Sequence, residues 1–132
     1  MAARARDWLG QARRDLEQAR HSETGGFHEW ACFAAQQGAE KAVKAVLQHA
    51  GATAFGHSVT GLLQALPETA GVTAELLDAA RELDKHYIPA RYPNSHPEGS
   101  PHEFYTPADA RRALDHGQRI VEFCAGLVAG PG

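Results

Sequence analysis

The sequence predicts an all-α protein, an antiparallel up-down four-helix bundle with one short extra helix. Three observations carry that expectation. Apolar residues recur at helical spacing in four long stretches, and glycine pairs, prolines and capping hydroxyls punctuate them. No stretch alternates apolar and polar side chains as a half-buried strand would. The 132 residues, 43% of them hydrophobic, suit one domain over 1–132 with a core of ordinary size.

In the first helix, read over about 4 to 21, Ala5, Trp8, Ala12, Leu16 and Ala19 share one face. Arg6, Arg13, Arg14, Glu17 and Arg20 fall elsewhere on the wheel, and the arginines read as a solvated face. Gly25-Gly26 ends it. The second helix runs from Phe27 to Ala50 with Ala31, Cys32, Ala35, Ala39, Ala42, Val43, Val46 and Ala50 as a wide stripe. Phe27 and Trp30 flank that stripe, and Glu29, Gln37, Glu40, Lys44 and Gln48 lie opposite it. Its small residues permit close approach, so it reads as the central element, stopped by Gly51. A helix of about two turns follows, with Ser58 or Thr60 as cap and Pro67 beyond its end. Leu62, Leu63 and Leu66 would cover one end of the core. Thr73 caps a third long helix, with Leu76, Leu77, Ala80, Leu83 and Tyr87 on one face and Glu75, Asp78, Arg81, Glu82 and Lys85 on the other. It is expected to end near Tyr87. Thr106-Pro107-Ala108-Asp109 combines a capping hydroxyl, proline at the first helical position and a carboxylate at the third. The last helix it starts would bury Ala110, Ala113, Leu114, Gly117, Ile120, Val121, Cys124 and Leu127. Residues 129–132 are expected to fray.

A net charge of −3 argues against a generally basic nucleic-acid surface, so any phosphate site must be a local matter of its ten arginines. Cys32 and Cys124 fall in apolar stripes and read as small buried side chains, compatible with a reducing compartment. No apolar run is long enough to span a bilayer, and the chain is expected to be soluble and cytoplasmic. No cofactor is expected. His86, His96 and His102 match no tight ligand spacing, so no metal site is expected either.

The connection from Tyr87 to Tyr105 concentrates the remaining information. Prolines 89, 93, 97 and 101 keep helix and central strand out of it, while three tyrosines, a phenylalanine, an isoleucine, an arginine and two histidines argue against a solvated linker. It reads as an ordered, functional loop. Within it Arg91 and His96 are separated by four residues, both projecting from one inter-helix connection. Bland roles are open to each residue. Arg91 suits capping of carbonyls at the end of the third helix, and His57 suits hydrogen bonding at the start of the short one. Tyr87, Tyr92 and Phe104 suit pinning the loop to the bundle.

A helical chain with Tyr-Ile-Pro-Ala-Arg-Tyr-Pro-Asn after its third long helix, and Gly56-His57-Ser58 before a short apolar helix, resembles the HEPN domain family (higher eukaryotes and prokaryotes nucleotide-binding). The resemblance covers nearly the whole chain and implies the same bundle. It further implies a homodimer in which two Arg-x4-His loops face one cleft, and a minimal nucleotidyltransferase (antitoxin) as partner. In ribonuclease members an arginine and a histidine at this spacing cut RNA without a metal, and they map onto Arg91 and His96. Arginine can grip phosphate oxygens with two parallel hydrogen bonds, and histidine can take or return a proton near neutral pH. The candidate catalytic residues are therefore Arg91 and His96. Candidate contacts to nucleotide or RNA are Arg91, Tyr92, Asn94, His57 and Tyr105. The chain departs from the family pattern at Tyr92, where many active members have a polar residue, and at Glu98, where modified toxins often have tyrosine. Two functional classes follow from the resemblance: a metal-independent endoribonuclease of a toxin-antitoxin pair, and a non-catalytic nucleotide- or partner-binding module acting with a nucleotidyltransferase. A dimeric scaffold is a third.

Overall fold

The computed structural model describes residues 2–129, which contain five α-helices and no strand among the described residues. They are α1 (Ala2–Thr24), α2 (His28–His49), α3 (Val59–Gln64), α4 (Ala74–Asp84) and α5 (Pro107–Ala129). Beyond Ala129, the tail expected to fray lies outside the described residues.

The central helix is α2, which packs against α1, α5, α3 and α4. The small side chains along its packed faces explain how it can be surrounded. Ala31, Ala35, Ala39, Ala42 and Val43 are fully buried. At Gly38 an added Cβ would stand 3.0 Å from the carbonyl oxygen of Ala12, and at Gly117 3.2 Å from that of Ala35. Both glycines therefore mark backbone-to-backbone approaches, of α1 on α2 and of α5 on α2. Leu16, Leu63, Leu83, Ile120 and Val121 fill the volume between these contacts.

The capping hydroxyls act as expected. Ser58 Oγ accepts the Gly61 N–H at 3.0 Å and starts α3, and Thr73 Oγ1 accepts the Leu76 N–H at 3.1 Å and starts α4. At α5, Thr106 Oγ1 accepts the Asp109 N–H at 3.1 Å while Asp109 Oδ2 accepts the Thr106 N–H at 2.9 Å. Together they satisfy end groups that the helix cannot satisfy itself.

Three readings need correction. The third long helix stops at Asp84, not near Tyr87, and the chain continues through turns to Arg91. Pro89 explains this, because it lacks the N–H that would bond back to Lys85 and its ring crowds that turn. Glu40, placed opposite the apolar stripe, is 4% exposed, and Gln36 is fully buried beside it. The segment entering α3 covers that face. Ala50 is exposed and lies past the end of α2.

Candidate functional site

The site is assembled where the entry to α3 meets the exit from α4. Asp84, the last residue of α4, accepts three hydrogen bonds: from Ser58 Oγ at 3.0 Å, Val59 N–H at 2.7 Å and Thr60 N–H at 3.1 Å. A carboxylate there meets the donors a helix start leaves open. Gly56, at φ +86°, makes the preceding turn in a conformation other residues rarely adopt. The combined effect is to lock His57 beside the turn that follows α4.

His57 is held on three sides. Its carbonyl accepts from Gln36 Nε2 at 2.9 Å, its Nδ1 lies 3.1 and 3.2 Å from the two Glu40 carboxylate oxygens, and its ring stacks on Tyr87 at 4.7 Å and 17°. Glu40 also accepts from Lys44 Nζ at 3.1 Å and, more weakly, from Gln36 and Gln37. These partners offset the cost of burying a carboxylate.

Arg91 is the other partner of Tyr87. Its Nε donates to the Tyr87 carbonyl at 2.8 Å, in the turn beyond Asp84, so it braces the start of the loop and does not cap the last carbonyls of α4. Its guanidinium carbon stands 4.3 Å from the Phe33 ring centre, 4.8 Å from that of Tyr87 and 5.1 Å from that of Tyr92. Among the described residues no carboxylate lies within ion-pairing distance of it. Its remaining N–H groups are thus oriented by aromatic faces and not engaged by an acid.

His96 is anchored to the same connection, with Nε2 2.8 Å from the Pro89 carbonyl oxygen and its ring stacked on Phe104 at 4.8 Å and 6°. A carbonyl can only accept, so Nε2 carries the hydrogen and Nδ1 is the nitrogen left over. Two 3₁₀ turns, Pro93–Ser95 and Pro101–Glu103, order the rest of the loop, the second closed by a Glu103 carboxylate that takes the Ser100 N–H at 2.8 Å.

Of the residues expected from sequence, Arg91, Tyr92 and His57 converge around Tyr87. Asn94 is exposed on the first 3₁₀ turn. Tyr105 is engaged elsewhere: its hydroxyl is 3.1 Å from His86 Nδ1, and burial pushes its phenol up to about 12. Burial also depresses His86 below its ordinary value. Next to them, Arg112 donates to Glu82 at 2.9 Å and to Asp109 at 2.8 Å, tying α4 to α5. Among the described residues no group of three or more His, Cys, Asp or Glu side chains is placed to hold a metal ion. No helix among them is long and apolar enough to cross a membrane.

Phe33, Glu40 and Asp84 were missed as site builders. For Glu40 the signal was present, since Glu40 and Lys44 at four-residue spacing form an ion-pair register inside an alanine-rich helix. For Phe33 and Asp84 no local signal exists, because their partners lie far away in sequence.

Comparison with known proteins bears on the whole chain. The family model described as HEPN domain matches residues 5–127. A crystal structure from Thermus thermophilus is 48% identical with a TM-score of 0.92, covering 94% of this chain and 98% of that one. An archaeal HEPN homologue of known structure is 44% identical, TM-score 0.80, over 94% of this chain and 97% of its own. A HEPN domain protein from Thermotoga maritima is 40% identical, TM-score 0.78, over 95% and 99%. No curated protein matches.

Proposed function

The chain belongs to the HEPN domain family, and from that premise we propose that it is a metal-independent endoribonuclease of a toxin-antitoxin pair, acting as a homodimer with Arg91 and His96 at the cleft. One observation carries the reading. Arg91 presents a guanidinium held among three aromatic rings with no acidic partner, on the same short connection as a histidine with one ring nitrogen unspent. An oriented, unpaired guanidinium is suited to the charge that builds on phosphate oxygens during transfer. A neighbouring histidine supplies proton transfer near neutral pH. Tyr92 and Asn94, both exposed, offer a ring and an amide to nucleotides at the same place.

A second reading has its own support. Arg91 and His96 each spend one nitrogen on a backbone carbonyl, which is what loop staples do, and Tyr92 stands where many active members of the family carry a polar residue. On that reading the domain binds a nucleotide or a minimal nucleotidyltransferase and cuts nothing. Incubation of mixed RNA with the protein in chelator, beside His96→Ala, separates the two. New RNA termini from the parent alone support the ribonuclease. Intact RNA with both proteins, folded and dimeric, moves the assignment to the binding module.

A further inference from the structure

We propose that His57, oriented by the buried carboxylate of Glu40, is a second proton-transfer residue of the Arg91 site. This rests on the ribonuclease reading and adds a group to it. Cutting an RNA strand by its own 2′-hydroxyl needs two proton movements, one off the attacking oxygen and one onto the leaving oxygen. A single histidine must perform both in turn, whereas two can act together.

His57 has the features of such a group. Its Nδ1 faces both oxygens of Glu40 and therefore carries the hydrogen, which leaves the lone pair on Nε2. Nε2 has no hydrogen bond among the described residues, and the side chain is 56% exposed. The ring is fixed by Glu40 and by the stack on Tyr87, and Gln36 holds the residue's backbone carbonyl. A histidine whose rear nitrogen is held by a carboxylate while its front nitrogen faces solvent is pre-oriented to accept a proton. Tyr87 links it to the phosphate-binding group: its ring lies 4.7 Å from that of His57 and 4.8 Å from the Arg91 guanidinium carbon.

The step balances without a metal or a co-reactant. The ribose 2′-oxygen loses its proton to His57 Nε2 and forms a bond to phosphorus. The bond from phosphorus to the 5′-oxygen breaks, and that oxygen takes a proton from Nδ1 of His96, which enters the step as the imidazolium with a hydrogen on each ring nitrogen. The products are a 2′,3′-cyclic phosphate and a 5′-hydroxyl, with His57 protonated and His96 neutral. Arg91 bears on the phosphate oxygens, and Glu40 is a positioning residue that acts through His57.

The test uses the full-length protein, a labelled single-stranded RNA and chelator, with kcat measured for parent, His57→Ala, His57→Asn, Glu40→Gln and the double variant Glu40→Gln/His57→Asn. Asparagine can still donate to Glu40 but takes up no proton, so it separates chemistry from folding. The expected result is a loss of about a hundredfold or more in both His57 variants, with thermal melting of His57→Asn close to the parent. Glu40→Gln lowers kcat by less, and adds nothing once His57 is gone, because a residue acting through another has no effect without it. Parent activity retained within about twofold in His57→Asn overturns the proposal while leaving the ribonuclease standing. Further loss on adding Glu40→Gln to His57→Asn overturns the positioning role of Glu40. A parent that cleaves no RNA overturns both this inference and the reading beneath it.

Discussion

Arg91 donates through Nε to the carbonyl of Tyr87 at 2.8 Å and lays its guanidinium over the ring of that same residue at 4.8 Å. One residue thus fixes both the height and the plane of the arginine fork. Lysine has neither a fork nor a planar face, so Arg91→Lys is not conservative here. On the proposed ribonuclease function, Arg91→Lys and Arg91→Ala are each expected to lower RNA cleavage on the order of a hundredfold, measured on labelled RNA. Circular dichroism should show the parent's helix content in both, since Arg91 lies outside the helices.

Asp84→Ala removes the acceptor for three donors at the start of α3. Ser58 still caps Gly61, so α3 is weakened at its first turn and not abolished. A loss of about 1–3 kcal/mol in urea denaturation is expected, the range for a lost cap with donors left unmet. The same variant should loosen His57, visible as broadened ring resonances by NMR.

Acid should weaken the fold in two stages. Burial holds His86 below its ordinary value of 6.5, with Asp109 and Glu82 opposing that shift and Arg112 and His116 adding to it. The unfolded chain therefore binds a proton there that the folded one resists, so stability falls as pH drops below about 6.5. Asp109 and Glu82 shift down for a different reason: although burial alone would raise them, hydrogen bonds from Thr106 and Arg112 to Asp109, and from Arg112 and His116 to Glu82, outweigh it. Their contribution is complete above their ordinary values of 3.8 and 4.5 and is lost as pH falls further. Melting temperature against pH should show both stages, and His86→Phe should remove the upper one. A curve flat from pH 7 to 5 in the parent would contradict the buried, neutral His86.

Gly38→Ala places a methyl 3.0 Å from the Ala12 carbonyl oxygen, backbone against backbone. Alanine favours helix by up to about 1 kcal/mol over glycine, yet the displaced α1 costs about 1–3 kcal/mol, so the net change is destabilising. Gly10→Ala meets nothing within 4 Å and should stabilise, which makes the pair an internal control by thermal melting.

Burial pushes the Cys32 and Cys124 thiols up to about 12, and no disulfide joins them. Both should resist alkylation in the native protein at neutral pH and react at once in denaturant. Mass spectrometry of iodoacetamide-treated samples reads this directly.

The helices were legible because their signals are local. Ser58, Thr73 and Thr106 announce starts within three residues of the groups they cap, and the stripe of α2 has the period of the helix it forms. The end of α4 was misplaced because the apolar period runs on to Tyr87 while the proline that stops it lies two residues later. That Arg91 and His96 share one ordered loop was readable from the prolines and aromatic residues around them. Their anchors were not, because Phe33 and Glu40 reach the loop from α2, and the pairing of His57 with Glu40 spans 17 positions. Periodicity marked Glu40 as outward-facing. Only the covering segment before α3 turns that face inward.

Arg91 and His96 are moored to the carbonyl oxygens of Tyr87 and Pro89, atoms that every amino acid brings to its position. Substitution at either mooring changes a side chain without removing the mooring itself. The loop can therefore exchange side chains around the pair while these two backbone anchors stay in place.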